Sequence, residues 1–171
     1  MLALNARPSR PGVRKGFSLV ELIAVMVVLA ILAGVAAPRF FSYSSDAKSA
    51  ALQGTLGGVR TGIANFYANA SIAGTPAYPT YEELIALGTV MQEEVPENPY
   101  TGLKDIKHVK NKGNAEARAV SQPTKFGWNY FVDNNATPPV AYFWANCEDE
   151  TRILETTKRN GKSTYLAAND I

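Results

Sequence analysis

The stretch that decides the fold is FSLVELIAVMVVLAILAGVAA, which occupies residues 17–37. It holds 21 residues and a single charged side chain, that of Glu21. As a helix it would be about 31 Å long at roughly 1.5 Å per residue, which is enough to cross the hydrocarbon core of a bilayer. The sequence therefore predicts a membrane-spanning helix close to the N-terminus.

The charges around this stretch predict its orientation. Of the 17 basic side chains, four lie in residues 1–16 (Arg7, Arg10, Arg14 and Lys15), which hold no acid; the rest of the chain has 13 basic and 15 acidic side chains. Because basic flanks stay on the cytoplasmic side, we expect a cytoplasmic N-terminus. The positive charge is concentrated in a segment typical of targeting and not on the folded part, so we predict no nucleic-acid partner.

Three interpretations of the apolar stretch compete. A secretory signal would be cut behind the small residues 34–36 and release a soluble protein, whereas a plain anchor would be retained. Both must tolerate Glu21, and an acid costs on the order of 2.5–3.5 kcal/mol at mid-membrane and less near a helix end. An acid inside the membrane instead indicates a function and requires a partner.

The third interpretation rests on RKGFSLVELI, residues 14–23. This run resembles the leader junction of type IV prepilins and of type II secretion pseudopilins, and the strong resemblance covers about residues 14–41. It implies that a prepilin peptidase cuts between Gly16 and Phe17 and N-methylates Phe17. It also implies that Glu21 serves filament assembly by meeting the Phe17 amine of a neighbouring subunit. Paired charges are far less costly in an apolar bundle than lone ones, and the need to pair would fix the register.

Pro38 closes the apolar run, and Gly34 lies four residues before it. Proline removes one intrahelical hydrogen bond and clashes with the carbonyl group four residues back, here that of Gly34. We therefore predict a kink or a locally melted turn at Gly34–Pro38. The resemblance implies that the helix bends or unwinds at this place inside filaments.

Beyond Pro38 the apolar pattern predicts that the helix continues and ends at about residues 69–74. Its stripe has steps of three and four residues: Ala51, Leu52, Leu56, Val59, Ile63, Phe66, Tyr67 and Ala70. Thr80 and Glu83 form a capping-box pattern, which predicts a second helix that stops near Gly88.

Residues 103–166 are predicted to form loops and then strands. Residues 103–122 are expected to form an exposed loop with one short strand near residues 106–110. The aromatic segments 127–132 and 140–145 predict a hairpin whose aromatic side chains form a sheet core. Weaker strand candidates lie at 152–157 and 163–166. Residues 77–84 and 95–100 look like the middle region of the major type II secretion pseudopilin and of some major pilins.

The predicted fold class is α+β, with a long N-terminal helix packed on a small antiparallel β-sheet in the manner of pilins. The first half of the helix is transmembrane and the second half is amphipathic. The predicted division is a basic leader at 1–16 that is removed, a transmembrane and filament-core helix at 17–38, and a periplasmic or extracellular globular domain at 39–171.

Catalytic and metal sites find little support. Cys147 and His108 are the only residues of their types, so an intramolecular disulfide is excluded and sites built on Cys and His are disfavoured. We expect Cys147 to be a small buried residue and His108 to lie in a solvated loop. The oxygen-rich segments 133–135 and 146–150 lack calcium-loop spacing. We predict no enzyme, no catalytic or metal-binding residue and no cofactor, with calcium disfavoured.

The resemblance implies a structural function. The expected protein waits as a single-pass inner-membrane protein and then joins a helical filament of its own copies. Its other expected partners are the prepilin peptidase/methyltransferase, an inner-membrane assembly platform and the membrane itself. We favour a type IV pilus over a type II secretion pseudopilus, because the calcium turn of the major pseudopilin is missing. A membrane-anchored periplasmic enzyme or binding domain is the remaining alternative.

Overall fold

A computed structural model describes residues 16–154 and 165–171 of the chain. Most of the predicted leader lies outside the described residues, and so do parts of both weak strand candidates. The chain divides into two compact units, Met1–Phe41 and Ser42–Ile171.

The first helix, α1, runs from Leu19 to Ile72 and contains the apolar stretch except for its first two residues, 17 and 18. Among the described residues it is the one helix long and apolar enough to cross a membrane. Its end confirms the predicted range of 69–74. α1 remains helical through Gly34 and Pro38, so this structure has no locally melted turn there. A proline removes one backbone hydrogen bond, and the bend predicted there stays a prediction.

The second part of α1 buries a narrow apolar stripe. Leu52, Leu56, Val59 and Ile63 are buried, which confirms the centre of the predicted stripe. Ala51 is exposed, contrary to the prediction, because it lies about 100° around the helix from Leu52. The remaining members of the predicted stripe, Phe66, Tyr67 and Ala70, are half-buried.

One glycine of α1 permits a close approach to the following loop. A Cβ atom on Gly62 would lie 2.9 Å from Met91 Sδ and 3.2 Å from the Val90 carbonyl oxygen. A Cβ atom on Gly57 or Gly58 would meet open space. Only at Gly62, therefore, does packing against another segment favour the absence of a side chain.

The second helix, α2, spans Tyr81–Ile85 and has the predicted capping box. The Thr80 backbone N–H donates to Glu83 Oε2 at 2.8 Å, and the Glu83 N–H donates to Thr80 Oγ1 at 3.3 Å. The helix ends three residues before Gly88, which has a φ of +81° in the turn that follows.

The main sheet has three strands in the order β1 (Ile106–His108), β2 (Trp128–Asp133) and β3 (Val140–Ala145). β2 and β3 form the predicted antiparallel hairpin. β1 pairs with β2 in parallel, which makes the sheet mixed where a purely antiparallel one was expected. The chain crosses from β1 to β2 through a short helix that was not predicted, α3 (Lys112–Glu116), and a crossover of this kind permits parallel pairing.

Gly127, just before β2, lets two backbones approach closely. A Cβ atom there would lie 1.9 Å from the Leu103 carbonyl oxygen, so no other residue fits without a backbone shift. The Gly127 and Trp128 N–H groups both donate to the Asp105 carbonyl, at 3.0 and 3.2 Å. This contact fixes the start of the parallel pairing.

The core lies on both faces of the main sheet, because successive side chains of a strand point to opposite faces and apolar side chains point to both of them here. On one face the α1 stripe packs against Trp128, Tyr130 and Phe143. On the other face Phe131 and Trp144 pack with Val109 and with Ala115 of α3. The aromatic residues of the predicted hairpin therefore form a sheet core, as expected.

A second, two-stranded sheet pairs β4 (Glu150–Leu154) with β5 (Tyr165–Ala167) in antiparallel fashion. These strands overlap the two weak candidates, and residues 155–164 between them lie outside the described part. A 3₁₀ helix, Ala168–Asp170, follows β5.

The expectation for His108 was wrong. It lies in β1 and is half-buried, whereas a solvated loop residue was expected. Its ring stacks on that of Tyr81 from α2, with centroids 4.9 Å apart and an interplanar angle of 3°. The residues next to His108 in the sequence are basic and polar and do not indicate burial. The ring that covers His108 belongs to a distant segment, so its burial could not be inferred from the neighbouring residues.

Candidate functional site

The N-terminal end of α1 holds the predicted processing junction. Gly16 and Phe17 precede the helix in non-helical backbone, and the Phe17 side chain is 84% exposed. Uncovered, non-helical peptide bonds are the ones that proteases reach most readily. The bond predicted to be cut is therefore accessible in a single copy of the chain.

A capping box joins Ser18 to Glu21 at the first turn of α1. The Ser18 backbone N–H and its hydroxyl donate to Glu21 Oε2 at 2.8 and 3.0 Å. The Glu21 N–H in turn lies 3.2 Å from Ser18 Oγ, to which it donates. The pattern Ser-x-x-Glu before an apolar run is a known helix-start signal, so Ser18 could have been found from the sequence.

The capping box engages only one oxygen of the Glu21 carboxylate. Oε2 accepts both bonds from Ser18, and none of the hydrogen bonds within the described residues involves Oε1. The ion pairs of the described part lie elsewhere, between residues 104 and 94, 112 and 116, and 152 and 46. Glu21 thus presents one oxygen and its negative charge to whatever packs against this end of the helix.

The surface around Glu21 is apolar and uncovered. Leu22, Ile23 and Val25 each have more than half of their surface exposed, and the same holds for the large apolar residues of α1 up to Phe41. So long an exposed apolar surface requires lipid or other helices around it. Gly16, Phe17, Ser18 and Glu21 are brought together at its start, whereas Gly34 and Pro38 lie further along the same helix.

Several oxygens of the two oxygen-rich segments accept hydrogen bonds from within the second unit, whereas the carboxylates of residues 148–150 are exposed. Asn146 Oδ1 accepts hydrogen bonds from the Ser121 N–H at 2.9 Å and from Asn129 Nδ2 at 2.8 Å. Asn134 Oδ1 accepts one from the Tyr78 N–H, and Asp133 Oδ1 caps the turn that follows it. Within residues 16–154 and 165–171, no group of three or more His, Cys, Asp or Glu side chains is arranged to hold a metal ion.

Cys147 is a buried free thiol, as expected from the sequence. Its surface is 4% exposed, and Asn98 Nδ2 lies 3.6 Å from its Sγ atom. Burial raises the pKa of the Cys147 thiol. A thiol with a raised pKa is a poor nucleophile, so the arrangement is that of a packing residue.

Comparison with known proteins gives one match. Residues 13–37 match the family model described as the prokaryotic N-terminal methylation motif, which is the prepilin signature of type IV pilins and pseudopilins. No significant match was found among curated proteins or among solved structures. The motif implies processing by a prepilin peptidase, and the apolar helix near the N-terminus, the one such helix in the part of the chain that the structure describes, indicates single-pass membrane anchoring. These features are typical of a pilin-like structural protein.

Proposed function

We propose that the protein is the structural subunit of a type IV pilus-like filament, cut between Gly16 and Phe17, methylated at Phe17 and assembled through α1. The match of residues 13–37 to the methylation motif is the observation that carries this proposal. The exposed junction and the uncovered apolar helix support it, because processing needs access and assembly needs a free helical surface.

The proposed assembly step pairs two charges. Cutting before Phe17 leaves a cationic amine beside lipid, and methylation keeps that charge while removing hydrogen-bond donors. Glu21 of a neighbouring copy has an oxygen that Ser18 does not use. Because lone charges are costly in an apolar bundle, pairing favours the one axial register in which amine and carboxylate meet.

The remaining proposed partners follow from the location of the helix. The chain is held in the inner membrane with its N-terminus cytoplasmic, where the prepilin peptidase/methyltransferase acts. An inner-membrane assembly platform then moves processed copies from the bilayer into the filament. The apolar surface of residues 19–41 would exchange lipid for the helices of other copies during this step.

The major pseudopilin of a type II secretion system is the second candidate, favoured by the likeness of residues 77–84 and 95–100 to that protein. We place it second, because the calcium turn of major pseudopilins is missing. The oxygens of Asn146, Asn134 and Asp133 also serve internal hydrogen bonds. Electron microscopy of cells would separate the two, since a pilus extends from the surface and a pseudopilus stays in the periplasm.

Mass spectrometry of the protein purified from its membrane tests the proposal directly. The expected mature chain begins with methylated Phe17. Gly16→Val should abolish cutting, and Ala36→Val, the matched change at the competing signal-like pattern, should leave it intact. A mature chain that begins at Ala37 would contradict the proposal, and so would cutting that depends on Ala36 and not on Gly16.

A further inference from the structure

A groove of about 430 Å³ opens on the second unit between α2 and β1. Its floor is made by Leu84, Val95 and Ile106, which belong to the buried core. Met91 and Phe126, both half-buried, also line it. The groove therefore offers apolar contact surface in a concave shape, which is the usual form of a site that receives a side chain or a small ligand.

The rim of this groove combines exposed apolar and acidic side chains. Ile85 and Leu87 are 50% and 61% exposed. Three acids, Glu93, Glu94 and Asp105, line the same opening as one base, Lys104, whose Nζ lies 2.6 Å from Glu94 Oε2. Within the described part of the chain Glu93 and Asp105 form no ion pair. An occupant with one apolar anchor and one basic side chain would match both properties.

The chain itself contains a surface of that kind, on α1. Phe40 and Tyr43 are 73% and 66% exposed, and they are three residues apart on the helix. Arg39 is four residues before Tyr43, so Tyr43 lies between Arg39 and Phe40 around the helix, and the three side chains together span about 100°. Arg39 is exposed and forms no ion pair with the described residues. An amphipathic helix that presents anchors at such spacings is a common occupant of apolar grooves.

We propose that this groove receives the Arg39–Phe40–Tyr43 face of a second copy of the chain. Phe40 lies over the apolar rim at Leu87, and Arg39 meets the acidic side chain of Glu93. The contact is heterologous, with a groove on one copy and a helix face on the next, and contacts of this type propagate into filaments instead of closing. The inference rests on the proposed function, because it is filament formation that brings the copies together.

Phe41 provides a matched control. It is as exposed as Phe40, at 73%, but it lies about 100° beyond Phe40 and about 200° from Arg39 around the helix, outside the arc that holds Arg39, Tyr43 and Phe40. Both residues are phenylalanines at adjacent positions, so they have the same relation to the membrane and the same effect on composition. A difference between variants at these two positions would therefore show which side of α1 makes the contact, and it would not reflect a general need for aromatic residues.

Cross-linking within assembled filaments tests the contact. In a Cys147→Ala background, Phe40→Cys combined with Leu87→Cys should give a ladder of multimers with a short bismaleimide, because each copy then has a thiol on both surfaces. Phe41→Cys with Leu87→Cys should give at least tenfold less ladder. Equal ladders, or none from either pair in normally assembled filaments, would overturn the inference. Absence of filaments from the unmodified chain would instead overturn the proposed function.

A charge exchange gives a second, independent measurement should the cysteine variants assemble poorly. Arg39→Glu and Glu93→Arg should each reduce the yield of sheared filaments several-fold, and the double variant should restore most of it. Arg39→Glu with Glu97→Arg is the control, because Glu97 is an exposed acid outside the groove. The proposed pairing of Arg39 with Glu93 would be overturned if Glu93→Arg did not restore the filament yield of Arg39→Glu, or if Glu97→Arg restored it equally well.

Discussion

The Glu21 carboxylate accepts hydrogen bonds from both the backbone N–H and the hydroxyl of Ser18, at 2.8 and 3.0 Å. Glu21 thus has a local role as the acid of a capping box, besides the role proposed for its charge in assembly. A glutamine fits a capping box as a glutamate does, since both have a carbonyl-type oxygen at the end of the same chain. The two roles can therefore be separated by substitution.

We predict that Glu21→Gln and Glu21→Ala both leave membrane insertion and cutting largely intact and both severely reduce filament growth. Removing one partner of a buried charge pair destabilises by roughly 3–5 kcal/mol, and that penalty would recur at every subunit. Glu21→Asp should give an intermediate yield, because it keeps the charge and shortens the reach. The measurement is the ratio of sheared filaments to cut, membrane-bound protein.

Ser18→Ala is the matched control for the charge argument. It removes the cap, which is worth about 0.5–2 kcal/mol to the helix, and leaves the Glu21 charge in place. We expect filament yield close to that of the unmodified chain. If Ser18→Ala fails as Glu21→Ala does while Glu21→Gln assembles normally, the cap is what assembly requires, and the pairing of charges has to be given up.

We predict that a fragment starting at Ser42 is folded, soluble and monomeric. Ser42–Ile171 is a compact unit with its own buried core, and the apolar surface of residues 19–41 is removed with the first unit. Analytical ultracentrifugation and thermal unfolding followed by circular dichroism would check this. A fragment that aggregates, or that shows no cooperative transition, would contradict the division.

The glycines of α1 offer a comparison within one helix. Gly58→Ala should stabilise the Ser42 fragment by about 0.5–1 kcal/mol, because a Cβ there meets open space and alanine favours helix. Gly62→Ala should lose that gain and destabilise, because its Cβ would press on the Val90 carbonyl oxygen 3.2 Å away. Denaturant titration of both variants gives the two free energies of unfolding, and equal values would refute the close approach.

Cys147 should react slowly with thiol reagents while the protein is folded. Burial raises the pKa of its thiol, so less thiolate is present at any given pH, and only 4% of the residue surface is exposed. We expect modification by iodoacetamide at pH 8 to be at least tenfold slower than in denaturant, as followed by mass spectrometry. Equal rates would show that the thiol is open to solvent in the native protein.

Elements that depend on residues close together in the sequence were predicted correctly. They are the helix of the apolar stretch, the Thr80–Glu83 capping box and the aromatic hairpin, all of which the structure confirms. The parallel pairing of β1 was missed because it depends on a crossover through α3 and on a close approach at Gly127. The burial of His108 was also missed, because the ring that covers it belongs to Tyr81 in α2, which is distant in the sequence.

The candidate site was predicted residue by residue from its motif, except for Ser18. Residues 18–21 carry the Ser-x-x-Glu signal of a capping box, which lies inside the motif that predicts the other site residues. The docking groove had no local signal at all, because its lining comes from α2, the loop after it, β1 and residue 126. Surfaces assembled from distant segments are visible only once the fold is known.

Arg60 should prove the most important basic residue for the stability of the second unit. Its Nε and Nη2 atoms donate to the Phe143 carbonyl at 3.1 and 2.9 Å, and Nη2 also donates to the Ile171 carbonyl at 2.6 Å. β3 is an edge strand, so the Phe143 carbonyl depends on a partner from outside the sheet. Burial and, to a lesser extent, the nearby Arg118 lower the pKa of Arg60, which marks an environment where water replaces lost partners poorly.

We therefore predict that Arg60→Met destabilises the Ser42 fragment by about 1–3 kcal/mol, because the substitution keeps the length of the side chain and leaves the Phe143 carbonyl without its donor. The Ile171 carbonyl loses one of its two arginine donors and keeps the bond from Arg118. Arg152→Met is the matched control. Arg152 makes an exposed ion pair with Asp46 at 4.0 Å, and such pairs contribute about 0–1 kcal/mol. Denaturant titration at several salt concentrations should show a large effect for Arg60→Met that salt barely changes. A small effect of Arg60→Met, equal to that of Arg152→Met, would mean that water satisfies the Phe143 carbonyl, and Arg60 would then be a surface residue without a structural role.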